Sequence, residues 1–488
     1  MPVSLILALF LAFGTESILP PAPVPRGEVG ARVAEVAGLV ATAGLVAFAF
    51  ALAVLIRLRL RGRPTQGVRR LYGAGSWAVE AICLGGYAYA VVGRNWTGVV
   101  RTGMGTGDTV LIDELLVILP FVLARLAGWW GFYPADRALR LARNPDRPAT
   151  GVGRHLLLRA RQALGMVLPA SLLFALGQDL ARVIWPARSA DASFQLGLMA
   201  AMGALTLGLA PAFVRLSWPT RPLPAGPLRD RLERLAARFS FRYTDILIWE
   251  TDGAVVNAGV TGALPWFRYV LLTDLLVESL DPHEVAAVFG HEVGHIRHRH
   301  LSFYGFFLVG SIGTLTLASE MVSDRMVGIV GGAAGMAIQA GLVLSVGVAY
   351  FAAVFGVLSR RFERQADVFG CRSVSCDRPD CPPHPDPYAR PADAPLPAAG
   401  PLCPVGIRIF ANALARVAAL NGLDPTTRSW RHGSIAARIA FLERLEGKPR
   451  AERSFQWGVA RLRIALAVAL IAALILSYQT GAIEQLGP

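Results

Sequence analysis

The chain has 488 residues, of which 54% are hydrophobic and 17% charged, and its mean hydropathy is +0.46. Ordinary soluble domains contain about 45–50% apolar and about 25% charged residues, so this composition excludes a soluble single-domain enzyme and a disordered chain. The formal net charge of +14 is carried by blocks between apolar segments rather than by one face. This pattern predicts a multi-pass protein in a lipid bilayer that binds no nucleic acid.

Apolar segments about as long as a bilayer is thick recur along the chain. The first candidate is short and the third is polar, and the other seven meet the expected length and composition. The first is either a span or a cleaved signal peptide, and both place the residues that follow it outside. The candidates are Val3–Phe13, Ala34–Ile56, Trp77–Val92, Thr109–Trp129, Ala163–Ile184, Phe194–Val214, Tyr304–Val322, Met326–Leu358 and Leu462–Tyr478.

Arginine-rich loops predict the orientation, because cytoplasmic loops of membrane proteins carry the Lys/Arg excess. One such block spans Arg57–Arg70 and another Arg137–Arg161, whereas the loops between them carry few charges. Alternation then places the long polar stretches Arg215–Phe303 and Ser359–Arg461 in the cytoplasm. Ionisable residues in or near the spans, such as Glu80, are expected to pair with arginines or to have a function.

The first polar stretch predicts a helix followed by a small sheet. Apolar residues recur at helical spacing in Pro227–Phe239. Two strand-like runs, Tyr243–Trp249 and Ala254–Val260, flank a turn with Asp252-Gly253, which indicates a hairpin. A third run, Phe267–Leu272, would complete the sheet.

The next helix is predicted to begin at Asp281 as N-cap, with Pro282 at the first helical position and Glu284 completing a capping box. It contains His291-Glu292-Val293-Gly294-His295, an HExxH motif. Histidines four residues apart lie on one face of a helix, so both imidazoles reach a single zinc ion. Glu292 then acts as the general base that takes a proton from the attacking water.

A catalytic zinc site needs a third protein ligand. A metzincin would have glycine at 298 and histidine at 301, but the chain has His298 and Leu301, which excludes that class. Downstream, Glu363 and Asp367 stand four residues apart on a predicted helix. Glu363 can bind the metal while Asp367 accepts a hydrogen bond from the far nitrogen of a ligand histidine. Alternatively, both carboxylates pair with neighbouring arginines at the membrane surface.

Taken together, HEVGH, two apolar spans and the sequence SRRFERQAD at 359–367 resemble the membrane-embedded gluzincin metallopeptidases. This family includes the type 1 CAAX prenyl proteases and the HtpX-like heat-shock proteases. Asn257–Gly262 is similar to the family's NAxxxG strand, and His432–Arg438 is similar to its HPSIxxR element. At the position of the proline in that element, this chain has Gly433. The resemblance covers roughly residues 222–447 and not the first 200.

The resemblance implies further site residues. Asn257, Ala258 and Gly262 would lie on an edge strand that pairs with an extended substrate peptide. His432 would stabilise the oxyanion of the tetrahedral intermediate, and Arg438 would orient nearby carboxylates or substrate.

Four cysteines, Cys371, Cys376, Cys381 and Cys403, cluster downstream of the predicted glutamate ligand. A cytoplasmic location disfavours disulfides, and such thiolate clusters often bind metal, so a second, structural zinc ion is one interpretation. Because their spacing matches no common zinc finger, reduced cysteines in an irregular proline-rich insertion are the alternative.

The resulting prediction is a mainly α, polytopic membrane protein with a small α+β, zincin-like catalytic domain at the cytoplasmic face, in a bacterial inner membrane. It would be a zinc endopeptidase that cleaves membrane-associated proteins or peptides in quality control. Alternatives are a regulated signalling protease, a prenyl-peptide protease and a non-catalytic zinc-binding scaffold. The predicted regions are 1–216 (membrane), 217–303 (protease, first part), 304–358 (membrane hairpin), 359–460 (protease, second part, with the insertion 371–403) and 461–488 (last span).

Overall fold

The structure is a computed structural model that describes residues 3–14, 28–60, 65–107, 109–143, 150–165, 167–189, 191–326, 332–375 and 402–479. The chain separates into two compact units, Met1–Thr220 and Arg221–Pro488. Both units are dominated by helices, and a small sheet accompanies the helices of the second. The predicted mainly helical fold with a small α+β part is therefore confirmed.

The first unit is a bundle of apolar helices in which α2 packs along α5 and α3. Two π-helical turns, Tyr89–Gly93 and Val99–Gly103, flank its shortest helix. The helices are α1 (Val3–Gly14), α2 (Glu28–Leu60), α3 (Thr65–Ala88), α4 (Trp96–Gly98), α5 (Ile112–Arg143), α6 (Val152–Leu164), α7 (Val167–Ile184) and α8 (Ala192–Ser217).

Among the described residues, seven helices are long and apolar enough to cross a membrane. They include the third candidate, which the sequence marks as polar, whereas α1 is too short. The predicted span Tyr304–Val322 falls within a helix that begins at His300. The seven windows are Val36–Leu58, Leu71–Gly93, Ile112–Leu141, Val167–Ile184, Gly197–Ser217, Ser345–Ser373 and Pro449–Ser477.

Carboxylates in the first unit pair with arginines, as one of the two sequence-based alternatives expects. Arg101 Nε lies 2.8 Å from Asp113 Oδ2, and Arg125 Nη2 lies 3.3 Å from Glu80 Oε1. Pairing offsets the high free-energy cost of a lone charge among apolar helices.

The second unit combines the sheet with helices that continue into apolar segments. The predicted amphipathic helix Pro227–Phe239 is confirmed, and it buries Leu232, Leu235 and Ala236. The elements are β1 (Thr220–Pro222), α9 (Pro227–Arg238), β2 (Asp245–Trp249), β3 (Ala258–Thr261), β4 (Tyr269–Thr273), α10 (Asp274–Ser279), α11 (Pro282–Arg297), α12 (His300–Met326), α13 (Gly332–Ser373), α14 (Pro404–Leu420), α15 (Ile435–Leu445) and α16 (Pro449–Gln479).

The sheet corrects one expectation from the sequence. Its order is β1-β2-β4-β3, in which β2 pairs in parallel with β4 and β3 pairs antiparallel with β4. The predicted hairpin between Tyr243–Trp249 and Ala254–Val260 is therefore wrong, although the run at Phe267–Leu272 does supply the third strand, β4. Every residue of β4 is buried, which is why this strand takes the central position between β2 and β3.

The turn at Asp252-Gly253 does form, with both residues at positive φ, but a side chain holds it instead of strand pairing. The carboxylate of Asp274 accepts hydrogen bonds from Thr251 Oγ1 (2.6 Å) and from the backbone N–H of Gly253 (3.0 Å). The chain then continues to the other side of β4, where the backbone N–H of Val256 donates to Asn421 Oδ1.

Candidate metal centre

Helix α11 carries the HExxH motif, and its start is fixed as the sequence predicts. Asp281 Oδ1 accepts a hydrogen bond from the backbone N–H of His283 (2.8 Å), and the N–H of Asp281 donates to Glu284 Oε2 (3.0 Å). Pro282 occupies the first turn. Arg416 of α14 contacts the same Glu284 oxygen at 2.8 Å. This capping box sets where α11 begins and therefore which face presents the two histidines.

Helices α11 and α13 pack very closely because glycines stand where they meet. A Cβ atom on Gly370 would lie 3.0 Å from the carbonyl oxygen of Ala287 and 3.2 Å from His291 Cβ. A Cβ atom on Gly290 would lie 2.1 Å from Ser373 Oγ. Only glycine allows this approach, which brings Glu363 on α13 to the histidines on α11.

The structure brings His291, His295 and Glu363 together. The two histidine Nε2 atoms lie 3.2 Å apart; that of His291 lies 3.8 Å from Glu363 Oε2, and that of His295 lies 3.8 Å from Glu363 Oε1. Ligand atoms at about 2.1 Å from a tetrahedral zinc ion lie about 3.4 Å from one another. Two imidazole nitrogens and a carboxylate thus fit zinc in both donor type and spacing. Among the described residues, these three form one of two groups that could hold a metal ion.

Asp367 lies beside His291 and is fully buried. Its Oδ1 is 3.0 Å from His291 Nδ1, on the opposite side of the ring from Glu363. Burial acts to lower the pKa of His291, but the contacts with Asp367 and Glu363 outweigh it and raise the pKa. A carboxylate in this place favours the tautomer with the proton on Nδ1, which leaves Nε2 as the nitrogen that could bind a metal ion.

Glu292 shares the same charged environment. Burial raises its pKa to about 7, while the positive charges of His291, Arg438 and His432 oppose this rise. A carboxyl group that titrates near neutral pH suits a general base, which has to accept a proton and return it.

His432 and Arg438 also lie at this site, on the loop before α15 and on α15 itself. His432 Nδ1 is 2.9 Å from Glu363 Oε1, and Arg438 Nη1 is 3.5 Å from Glu363 Oε2. The side chain of His432 is 46% exposed, so it lies at the open side. Gly433 has φ +73°, a conformation that proline cannot adopt, and it bridges to Ser429. The loop thus differs locally from the family pattern while still bringing His432 to Glu363.

The residues predicted to bind substrate lie at the edge of the sheet. The backbone of Asn257 pairs with Thr273 at the start of β3, and Ala258 is opposite Leu272. Gly262 has φ +103°, and a Cβ atom there would lie 2.1 Å from the carbonyl oxygen of Phe267. Gly262 is therefore required by the backbone itself, whatever role it has toward a substrate.

The predicted cysteine cluster is described only in part. Cys371 and Cys403 are buried, whereas Cys376 and Cys381 lie outside the described residues. Neither of the metal-type groups found among the described residues contains a cysteine. The second zinc ion stays a prediction.

Sequence reasoning missed Gln365 and gave no definite role to His300, which contacts His295. Gln365 lies two residues after Glu363, and nothing in its own pattern indicates a role. The signal for His300 was present, because a polar residue just after an HExxH helix can return to it through a tight turn.

Comparison with known proteins agrees with the motifs. Residues 222–380 match the model of Peptidase family M48. The chain is 29% identical over 185 residues to the Protease HtpX homolog of Aeropyrum pernix, which covers 36% of this chain and 56% of that protein. It is 32% identical over 103 residues to the CAAX prenyl protease 1 homolog of Oryza sativa subsp. japonica; the matched segment covers 21% of this chain and 23% of that protein. The predicted resemblance is thereby confirmed.

A crystal structure of S. mikatae Ste24p is similar with a TM-score of 0.49 and 16% sequence identity, over 83% of this chain and 98% of that chain. The chain spans little more than half of the A. pernix relative's length and less than a quarter of the rice relative's.

Proposed function

We propose that this chain is a zinc-dependent integral membrane endopeptidase that hydrolyses peptide bonds in membrane-associated proteins. The observation that carries the proposal is the group formed by His291, His295 and Glu363, whose nitrogen and oxygen atoms lie 3.2–3.8 Å apart, as the ligands of one tetrahedral ion do. The match of residues 222–380 to Peptidase family M48, a range that includes all three residues, also supports it.

A bound zinc ion would supply Lewis acidity toward water and toward the peptide carbonyl. His291, His295 and Glu363 would hold that ion. Glu292 takes the proton of the attacking water and delivers it to the leaving amine. His432, on the open side beside Glu363, is the group that we assign to the carbonyl oxygen as it gains negative charge.

Arg438 positions the carboxylates of this centre. Its guanidinium contacts Glu363 and forms two hydrogen bonds with Asp367, so it offsets the negative charge of both. Asp367 in turn orients His291. A carboxylate behind a ligand histidine fixes the ring and raises its basicity.

Strand β3 is the segment that we assign to substrate binding. It stands at one end of the sheet order and pairs with β4 on one side only. An extended peptide can add to such an edge through main-chain hydrogen bonds. Asn257, Ala258 and Gly262 belong to this edge or flank it.

The site would lie at the cytoplasmic face of a bacterial inner membrane. The arginine blocks between spans support the orientation. Lys448 is the only lysine among 48 basic residues, a bias that suggests a bacterial source. Because prenylated CAAX substrates are not expected in bacteria, we favour proteolytic quality control of membrane proteins over prenyl-peptide cleavage.

The test is to measure metal content and casein cleavage of the detergent-purified parent and of two variants. The parent should hold zinc in the catalytic site, with cleavage lost on chelation and restored by zinc. Glu292→Gln should keep that zinc and lose cleavage, whereas Glu363→Ala should lose both. Zinc that survives Glu363→Ala would indicate a second site. A parent that binds zinc but cuts neither casein nor membrane-protein substrates would contradict the endopeptidase, and one that binds none would contradict the site.

A further inference from the structure

The outer nitrogen of His295 contacts another imidazole. His295 Nε2 faces His291 and Glu363, and its Nδ1 lies 2.9 Å from Nδ1 of His300. A metal-binding histidine normally donates its remaining N–H to a carboxylate, a carbonyl or water. Beside His291 Nδ1 lies the carboxylate of Asp367, 3.0 Å away, whereas the outer nitrogen of His295 meets a histidine.

The chemistry of the two rings sets the direction of the hydrogen bonds. Two Nδ1 atoms at this distance can bond only when one of them carries the proton. If His295 binds metal through Nε2, its proton is on Nδ1, so His300 accepts at Nδ1 and carries its own proton on Nε2. That nitrogen lies 2.9 Å from Gln365 Oε1, and Gln365 Nε2 donates to Gln456 Oε1. Each group thus donates outward to the next.

The backbone and the packing around His300 hold its ring in this position. Arg299, with φ +55°, reverses the chain between α11 and α12 and returns His300 to the side of His295. His300 is 1% exposed, and its ring stacks on Phe362 with the centroids 4.1 Å apart and the planes 7° apart. A ring so enclosed has few alternative orientations.

The last group in this series of hydrogen bonds belongs to helix α16. Gln456 lies on α16, as does Arg463, whose Nη1 donates to the carbonyl oxygen of His298 at 3.0 Å. The Arg463 guanidinium also lies over the ring of Phe362, 5.8 Å from its centroid. Helix α16 therefore contacts the α11–α12 corner through Arg463 and α13 through Gln456.

We infer that His300 is a positioning residue of the metal centre and that Gln365 and Gln456 complete a directed hydrogen-bond chain that fixes the orientation of His295 and joins it to α16. The inference rests on the proposed function, since it takes His295 as a zinc ligand.

The test uses the full-length protein in detergent and measures its zinc dissociation constant by competition with a chelator. His300→Phe keeps a ring that can stack on Phe362 but removes the acceptor, and we expect zinc binding to weaken about 10- to 100-fold. In His300→Asn the stack is lost, but the amide oxygen can take the place of Nδ1, so affinity should stay near that of the parent. If His300 acted only through packing, His300→Asn would bind zinc more weakly than His300→Phe. His298→Phe is the matched control, because His298 stands in the same turn but is not a member of the hydrogen-bond series.

Cobalt substitution gives a second measurement, because the visible absorption of bound Co²⁺ reports ligand geometry. We expect its bands to shift in His300→Phe and to stay unchanged in His298→Phe. If His300→Phe does not fold, Gln365→Met serves, because it nearly preserves volume and removes the acceptor for His300, and about tenfold weaker binding is expected. A parent without zinc would overturn the proposed function. A folded His300→Phe, or failing that Gln365→Met, that binds zinc like the parent would overturn this inference alone.

Discussion

Arg438 and Asp367 form a doubly hydrogen-bonded ion pair in the interior of the second unit. Arg438 Nε lies 2.8 Å from Asp367 Oδ2, and Nη2 bonds the other oxygen. Asp367 is 0% and Arg438 8% exposed. The pair joins α15 to α13 at the point where α13 also meets His291, so the C-terminal part of the chain helps to set the geometry of the candidate metal centre.

Arg438→Leu should strongly destabilise the protein. The substitution leaves the fully buried carboxylate of Asp367 without its partner, and breaking a buried pair on one side costs about 3–5 kcal/mol. Thermal unfolding in detergent would show a lower midpoint, and zinc affinity should also fall because Asp367 no longer holds His291. Arg444→Leu, at an exposed position of the same helix, is the control. Equal midpoints for the two variants would contradict this account.

Gly370→Ala should weaken both the fold and metal binding. The added methyl group would lie against the Ala287 carbonyl and His291 Cβ, so α13 has to move away from α11, at a cost of about 1–3 kcal/mol. Chelator competition and thermal unfolding measure the two effects. Gly305→Ala on α12, where no atom lies within 4 Å of the new methyl group, should leave zinc affinity unchanged. Similar affinities in both variants would argue against the glycine contact.

Gly262→Ala should disturb the edge of the sheet. Its φ of +103° and the nearby Phe267 carbonyl leave no room for a side chain, so we expect a loss of about 2 kcal/mol or more in stability. Gly259→Ala places its methyl group in open space on β3 and should fold like the parent. Equal unfolding midpoints for the two variants would contradict the strain described at Gly262.

The lowered pKa of His298 should make the metal-free protein less stable as pH falls from about 6.5 towards 4. Burial, assisted by Arg463 and Arg297, lowers the pKa of His298 to about 4, against an ordinary value of about 6.5. Below pH 6.5 the unfolded chain therefore binds a proton that the folded chain does not, which favours unfolding. Burial also lowers the pKa of His295, to about 3. Lowering the pH from 7.5 to 5 should depress the unfolding midpoint less in His298→Gln than in the parent. An unchanged difference would exclude a contribution from His298.

Local patterns predicted the parts of the fold that local interactions decide. The capping box at Asp281, the helix at Pro227 and the run that became β4 all follow from spacing and turn chemistry within a few residues. The pairing of the strands does not, because Asp274, more than twenty residues away in the chain, holds the Asp252-Gly253 turn and β4 takes the central place. Strand order depends on contacts between distant residues, which a single sequence does not display.

In the candidate site too, some features depend on neighbouring residues and others on contacts between distant residues. One helical turn predicts that His291 and His295 share a face, and the structure places Glu363 beside them. The closeness of α11 and α13 depends on Gly370, a residue whose importance is visible only when the helices are seen in contact. His300 likewise needed the Arg299 turn before its direction could be known.

If β3 binds substrate as proposed, its shortness limits what this protein could degrade. An edge of four residues, Ala258–Thr261, can align only a stretch of polypeptide that has already left its own helix or sheet. Main-chain pairing depends on N–H and C=O groups more than on side chains. A proline at a paired position would therefore bind poorly, because it has no backbone N–H to donate. Selection would then depend on whether a protein has lost its native shape, and correctly folded neighbours in the same bilayer would be spared without any sequence code.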